Sequence, residues 1–201
     1  MKEALKLALR RLSEGDPNAL AWKSGVEYSQ GRFSVPFFSR SLQVVFPGGE
    51  VREEGRPSPP PLWLQVTILH YLLTADGAPV ADRWMAFREL PGGNALLTHF
   101  EMNTMAPLTA AQGGDLEGFR RAALALGGYP MGLGDVSFRF LAFPRLPMAC
   151  VLWLGEEGMP PAINMVFDAA APHYLHTEDL AALAEYLSQA LRRGPWLEAG
   201  T

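Results

Sequence analysis

The chain has 201 residues, 48% of them hydrophobic, and a formal net charge of −4. These totals suit a soluble globular protein with a substantial core, and they argue against nucleic-acid binding, which needs a basic surface. The only cysteine, Cys150, excludes an intrachain disulfide and an iron–sulfur cluster ligated by the chain alone. The charged N-terminus lacks a signal-peptide core and no apolar run is long enough to span a membrane, so we expect a cytoplasmic protein.

The N-terminal part of the chain predicts two helices followed by a β-meander. Apolar residues recur at helical spacing over 4–12, and Asp16-Pro17 is a typical start for a second, short helix. From 32 to 53, aromatic and β-branched runs surround a Pro-Gly-Gly turn, which is the pattern of an antiparallel meander. The proline run at 56–61 is either a loop within one domain or a boundary between two parts of it.

The middle of the chain is predicted to be mainly helical. Residues 62–74 are almost wholly apolar, and their length favours a buried helix over a strand. We expect a strand over 82–90, a helix over 94–105 and an amphipathic helix that begins at Asp115 and ends near 126.

The C-terminal part predicts a three-stranded hairpin region followed by a long helix. The strands are expected at 136–143, 148–154 and 163–167, and Thr177 is the expected N-cap of a helix over 178–192. Because the strands fall into two groups with helices between and around them, the predicted class is α+β, with antiparallel sheets in a single domain.

The first candidate for ligand binding is the pair Arg88-Glu89, which precedes a Pro-Gly-Gly turn. Charged side chains beside such a turn can meet an anionic ligand, because glycine lets backbone N–H groups approach closely. The alternative is a structural Arg–Glu ion pair next to an ordinary turn.

The second candidate is a pocket between the apolar helix at 62–74 and the C-terminal sheet. His70 and Tyr71 lie in that helix, and Trp153 and Tyr174 are aromatic candidates for the opposite wall. A histidine on a hydrophobic wall can ligate a metal or the iron or cobalt of a tetrapyrrole. The alternative is a core histidine whose ring nitrogens are hydrogen-bonded.

Two further groups of residues have weaker chemical patterns. Glu157 and Asp168 follow two apolar strands and are candidates for an acid–base pair, although a solvated turn and a helix N-cap at Asp168 explain them as well. His173 and His176 have a spacing found in metal sites, but they fall in a loop that constrains geometry poorly, so we do not expect a metal.

Several motifs resemble one known family. They are the run ILHYLLTADGAPVADRWMAFRELPGGNALLTHF at 68–100, FPRLP at 143–147, LWLGEEGMPPAINMVFD at 152–168 and YLHTEDL at 174–180. Over about residues 16–192 the chain is similar to the family of domains of unknown function numbered 3786. The resemblance implies no reaction. It implies a link to corrinoid or one-carbon metabolism, because some members carry an additional cysteine-rich segment like that of corrinoid iron–sulfur proteins, which this chain lacks.

These observations favour a ligand-binding or accessory domain, with a corrinoid or haem-like tetrapyrrole as the most specific ligand. His70, Tyr71, Arg88, Glu89, Trp153 and Tyr174 are the residues expected to line its site. The first alternative is a small enzyme that uses Glu157 or Asp168. The second is an interaction module that forms a homodimer through exposed apolar surface on the N-terminal meander.

Overall fold

A computed structural model describes residues 1–156 and 158–194 and has two antiparallel sheets with helices packed around them. The helices are α1 (Lys2–Glu14), α2 (Pro17–Ser24), α3 (Leu62–Thr74), α4 (Gly93–Phe100), α5 (Ala106–Gln112), α6 (Leu116–Ala125) and α7 (Thr177–Arg193). The strands are β1 (Glu27–Ser29), β2 (Arg32–Phe37), β3 (Arg40–Val45), β4 (Val51–Glu53), β5 (Trp84–Ala86), β6 (Tyr129–Met131), β7 (Val136–Phe143), β8 (Leu146–Trp153) and β9 (Ala162–Asp168). The α+β class is therefore confirmed.

The first sheet is the predicted meander, with strand order β1-β2-β3-β4 in the described residues. Its strands alternate between buried and exposed side chains, and the pair Val35 and Leu42 is fully buried at the centre of the β2–β3 register. This alternation is the period that one covered face produces. The proline-rich segment 56–61 forms the loop between β4 and α3.

The second sheet has the order β5-β9-β8-β7-β6 in the described residues. Its three central strands are the predicted C-terminal strands, while β5 and β6 at its edges contain three residues each. β8 is buried along its whole length except at Trp153. A strand that is covered on both faces shows a continuous apolar run, which explains why the sequence revealed β8 so clearly.

The two sheets contribute to one hydrophobic core. The backbone N–H of Phe38 donates to the carbonyl of Leu141 at 3.1 Å, which ties the turn after β2 to β7. Phe37 lies with its ring centroid 5.3 Å from that of Phe143 and 5.1 Å from that of Tyr186 on α7. Aromatic side chains from both sheets and the last helix thus meet at the centre of the protein.

Several predicted boundaries differ from the structure by a few residues, and two of the differences have a clear physical cause. The expected strand over 82–90 is short: β5 ends at Ala86, and Phe87–Glu89 forms a 3-10 turn because the Glu89 carboxylate accepts the Ala86 N–H at 2.6 Å. Thr177 is not the N-cap of α7. His176 occupies that position, and the Thr177 hydroxyl donates to the Pro91 carbonyl at 2.6 Å instead.

The segment 93–112 is one continuous helical run that contains a π-helical turn. Between α4 and α5, Glu101–Met105 is π-helical, and the Ala106 N–H donates to the Glu101 carbonyl five residues earlier. Pro107 follows directly and has no N–H to give to the carbonyl four residues before it. The turn that precedes it is therefore free to widen.

None of the helices within residues 1–156 and 158–194 is both long enough and apolar enough to cross a membrane.

Candidate functional site

Tyr71 and Tyr174 meet in the core, where their surroundings explain them structurally. The Tyr71 ring stacks on Phe143 with centroids 4.3 Å apart and lies 5.7 Å from the Tyr174 ring. Its hydroxyl donates to the Ser24 carbonyl at 2.5 Å and accepts the Arg145 N–H at 3.2 Å. Burial raises the pKa of Tyr71 well above its usual range, so the hydroxyl stays protonated as a donor. We call Tyr71, Phe143, Arg145 and Tyr174 the tyrosine cluster.

The tyrosine cluster anchors an extended connection over 75–83, which we call the strap. The Tyr174 hydroxyl donates to the Ala78 carbonyl, and Arg145 Nη1 donates to the Gly77 carbonyl at 3.0 Å. The guanidinium of Arg145 also lies 5.9 Å from the centre of the Trp22 ring. Because the strap has no ladder hydrogen bonds of its own along most of its length, these side chains satisfy its backbone groups.

Asp168 also holds the strap, and it is the buried last residue of β9 rather than the helix N-cap of the structural alternative, since Ala170 is the N-cap of the 3-10 turn that follows. It is 1% exposed at the end of β9. Its Oδ1 accepts the N–H groups of Ala81 and Ala170, each at 2.9 Å, while Oδ2 is buried and has no hydrogen-bond partner among the described residues. The second predicted carboxylate, Glu157, lies outside the described residues.

His70 is neither a buried apolar contact nor a free ligand. Its Nδ1 lies 2.8 Å from Asp179 Oδ2 on α7, and its side chain is 29% exposed. A hydrogen-bonded ring nitrogen is what the alternative interpretation of the sequence expected, in which His70 has a structural role. Nδ1 is bonded to a carboxylate, and Nε2 is the other ring nitrogen. Histidines that ligate metals through one ring nitrogen are often oriented in this way, by a carboxylate bonded to the other nitrogen.

His173 and His176 do not converge on a common point of coordination. His173 Nδ1 lies 2.6 Å from Asp76 Oδ2 at the surface, and this hydrogen bond, with that from the Ala78 N–H, holds the pKa of Asp76 below its usual value. His176 is exposed at the start of α7. Within residues 1–156 and 158–194, no three histidine, cysteine, aspartate or glutamate side chains form a group suited to a metal ion.

Arg88 and Glu89 separate in the structure instead of forming the expected ion pair. Glu89 uses its carboxylate to cap the 3-10 turn at Ala86. Arg88 is exposed and has no ion-pair partner among the described residues. The turn is held close to α4 by Gly93, where a Cβ would come within 2.0 Å of the Phe87 carbonyl oxygen. The glycine is therefore required for packing.

Arg88 lines a cleft of about 200 Å³ between the 3-10 turn, the π-helical turn and β9, which we call the Arg88 cleft. Its apolar lining comes from Phe87, Leu97, Phe100, Met105, Met165 and Val166. Its polar lining comes from Arg88, Glu101 and Asn164. The Phe87 and Phe100 rings stack with centroids 3.9 Å apart, which makes the base of the cleft a rigid aromatic pair.

Two other clefts have different chemistry. One, of about 310 Å³, lies on the other side of the π-helical turn, where Asn103 and Thr104 face Glu178 and Glu185 of α7. The other, of about 470 Å³, lies on the outer face of the second sheet. It includes Tyr129, which is 65% exposed. Phe100 lines both the first of these clefts and the Arg88 cleft, so the π-helical turn separates two adjacent depressions.

The six predicted lining residues therefore do not share one pocket. Tyr71 and Tyr174 stack in the core, Arg88 lines its own cleft, and Trp153 is 40% exposed at the end of β8. The sequence interpretation missed Glu101 and Asn164, because single polar residues in a helix and a strand carry no motif. A signal did exist for the π-helical turn, since Pro107 interrupts a helical pattern.

Cys150 is buried and its thiol is free. Burial raises the pKa of this thiol far above its usual value, so it is not an activated nucleophile.

Comparison with known proteins gives one match. The family model for a domain of unknown function, DUF3786, matches residues 16–190 of the 201-residue chain. No curated protein and no solved structure matches it. Because the match covers nearly the whole chain and includes all the residues of the tyrosine cluster and the Arg88 cleft, the chain belongs to the DUF3786 family.

Proposed function

We propose that this protein binds a small metabolite that carries an anionic group and an apolar body, in the Arg88 cleft. The observation that carries the proposal is the guanidinium of Arg88, which lines a cleft with an aromatic base and has no ion-pair partner among the described residues. Ligand sites are typically concave, mostly apolar and equipped with a few polar groups that fix orientation. The Arg88 cleft is concave and has the few polar groups of such a site, with polar and apolar lining in about equal shares.

The chemistry of arginine selects the anionic group. A guanidinium offers N–H donors in a planar fork that matches a carboxylate or phosphate. Arg88 lies in a 3-10 turn that the Glu89 carboxylate caps and that packs closely against α4 at Gly93. Its backbone is therefore fixed, while its side chain has no ion-pair partner among the described residues. The π-helical turn beside it adds support, since such turns occur frequently at functional sites.

The size of the cleft limits the ligand. About 200 Å³ is below the roughly 300–1,000 Å³ of sites for drug-sized molecules, so the ligand is a smaller metabolite. Met105 and Met165 are flexible, polarizable side chains that adapt to the shape of an apolar group.

Calorimetric titration with small carboxylates tests this proposal. The probes are 4-methylpentanoate and 3-phenylpropanoate, titrated into wild-type protein, Arg88→Ala and the matched control Arg121→Ala on the exposed face of α6. We expect binding that Arg88→Ala weakens by roughly 10- to 150-fold, because a charge-assisted hydrogen bond contributes about 1.5–3 kcal/mol. Arg121→Ala should bind like wild type. Equal affinity in Arg88→Ala, or absence of binding by both probes and by their amino counterparts leucine and phenylalanine, would refute the proposal.

A tetrapyrrole is the second candidate ligand, and one observation favours it. Asp179 orients His70 through Nδ1, as carboxylates orient histidines that ligate metals. The residues present fit this ligand poorly, however, since those expected to surround it do not share a cavity. Absorption spectra recorded with added haem and cobalamin decide the question: a His70→Ala-sensitive shift supports this ligand, and unchanged spectra remove it.

The two other functions remain predictions. Acid–base catalysis would rest on Glu157 or Asp168, and the buried Oδ2 of Asp168 has no hydrogen-bond partner among the described residues. Its test is loss of a measured activity in Asp168→Asn. Homodimer formation would involve the outer face of the second sheet, where Tyr129 and Leu141 are exposed, since the strands of the first sheet expose no large apolar side chain in the described residues. A monomeric mass that does not change with concentration would exclude the dimer.

A further inference from the structure

We infer that the ligand of the Arg88 cleft is a zwitterion of the α-amino-acid class with an apolar side chain. This inference rests on the proposed function and narrows it. It starts from Glu101, the second charged residue of the cleft, which an anion-binding site alone does not explain.

Arg88 and Glu101 line the same cleft but do not neutralise each other. The N–O distance between them exceeds the 4.0 Å limit of an ion pair, and neither has another charged partner among the described residues. They are therefore one positive and one negative group that a single small ligand can contact together. An anionic ligand without a positive group would meet unfavourable repulsion from the Glu101 carboxylate.

The position of Glu101 depends on the π-helical turn. Glu101 is the first residue of that turn, directly after Phe100, whose ring forms the aromatic base of the cleft. The charge thus sits next to the apolar surface, in the same cleft as the 3-10 turn that carries Arg88. A ligand with its carboxylate and ammonium on one carbon, and an apolar group attached to that carbon, matches all three features.

Asn164 supplies the remaining polar group of the cleft. It is exposed on β9, and its amide can both donate and accept hydrogen bonds. Such a group serves either end of a zwitterion, so it does not favour a purely anionic ligand. The neutral total charge of the ligand also agrees with the equal and opposite charges of Arg88 and Glu101.

The test compares molecules that differ by one charged group. Leucine, 4-methylpentanoate and 3-methylbutylamine share an apolar body. Leucine carries both charges, 4-methylpentanoate carries only the carboxylate, and 3-methylbutylamine carries only the ammonium group. Methionine and phenylalanine extend the set. Each is titrated calorimetrically into wild-type protein, Glu101→Gln and the matched control Glu54→Gln, an exposed glutamate in the loop after β4. Glu101 is exposed and its side chain makes no hydrogen bond or ion pair within the described part of the chain, so its variant should fold.

We expect at least one of the amino acids to bind about tenfold more tightly than its analogue without the ammonium group. Glu101→Gln should remove this difference and leave the affinity for 4-methylpentanoate the same or improved. Glu54→Gln should keep the difference. If 4-methylpentanoate binds as tightly as the amino acids in an Arg88-dependent manner, the zwitterion inference is overturned and the proposed function stands. If no probe shows Arg88-dependent binding, the zwitterion inference and the proposed function both fail.

Discussion

The tyrosine cluster and the Arg88 cleft use polar side chains in opposite ways. In the tyrosine cluster, the hydroxyls of Tyr71 and Tyr174 and the guanidinium of Arg145 all bond to backbone groups. In the cleft, Arg88 and Glu101 have no charged partner among the described residues. Polar groups that complete the fold are not available to a ligand, whereas uncommitted groups on an apolar cleft are. Mutations should therefore affect stability in one region and binding in the other.

The largest effect is expected from Tyr71→Ala. The side chain is fully buried and stacked on Phe143, and truncation of a large aromatic residue costs about 3–5 kcal/mol. Tyr71→Phe keeps the ring but leaves the Ser24 carbonyl and the Arg145 N–H without the hydroxyl as a partner. We expect it to lower the free energy of unfolding by about 1–3 kcal/mol. Urea unfolding measures both. Near-wild-type stability in Tyr71→Ala would contradict the structural role.

The next largest effect is expected at Asp168, where two substitutions separate the role of the hydrogen-bond acceptor from that of the buried charge. Asp168→Ala removes the acceptor for the N–H groups of Ala81 and Ala170, and we expect a loss of about 2–3 kcal/mol. Asp168→Asn keeps the Oδ1 acceptor and removes the buried charge, so it should cost less than the alanine variant. The free energy of unfolding of the two variants checks this order, and equal losses would show that the charge itself is required.

Arg88→Ala should leave stability almost unchanged. The side chain is exposed and makes no ion pair in the described part of the chain, so the free energy of unfolding should shift by less than about 0.5 kcal/mol. The same variant should lose ligand affinity, as proposed above. A stability loss comparable with that of Asp168→Ala would mean that Arg88 serves the fold, and the contrast between the two regions would disappear.

The smallest effect is the pH dependence of the strap at Asp76. The hydrogen bond from His173 lowers the pKa of Asp76 in the folded protein below its unfolded value of about 3.9. The stability that this contributes is therefore present above about pH 4 and is lost as the pH falls through the lower folded pKa. His173→Ala should raise the pKa of Asp76, as carboxyl carbon NMR titration would show. An unchanged titration would remove His173 as the cause.

The sequence predicted the parts of the fold that depend on local pattern. The apolar run at 62–74 gave α3, and the three long strands near the C-terminus gave the centre of the second sheet. Edge strands of three residues, such as β5, have too few positions to show a period. The first candidate for ligand binding, Arg88, does line a cleft.

The rest of the candidate site depends on contacts between distant parts of the chain. Asp168 is buried because it bonds to Ala81, which is 87 residues away in sequence. Glu101 lines the cleft because a helix passes the 3-10 turn at that point, and no local pattern specifies such a crossing. The partner of His70 on α7 lies 109 residues further along the chain.

The π-helical turn has a consequence for chain length. A turn with hydrogen bonds between residues five apart contains one residue more than an α-helical turn, which equals a one-residue insertion. The π-helical turn continues directly into α5, where the Thr109 hydroxyl accepts the Ile163 N–H of β9 at 3.2 Å. Deleting Asn103 should therefore preserve both flanking helices and remove only the bulge beside the cleft.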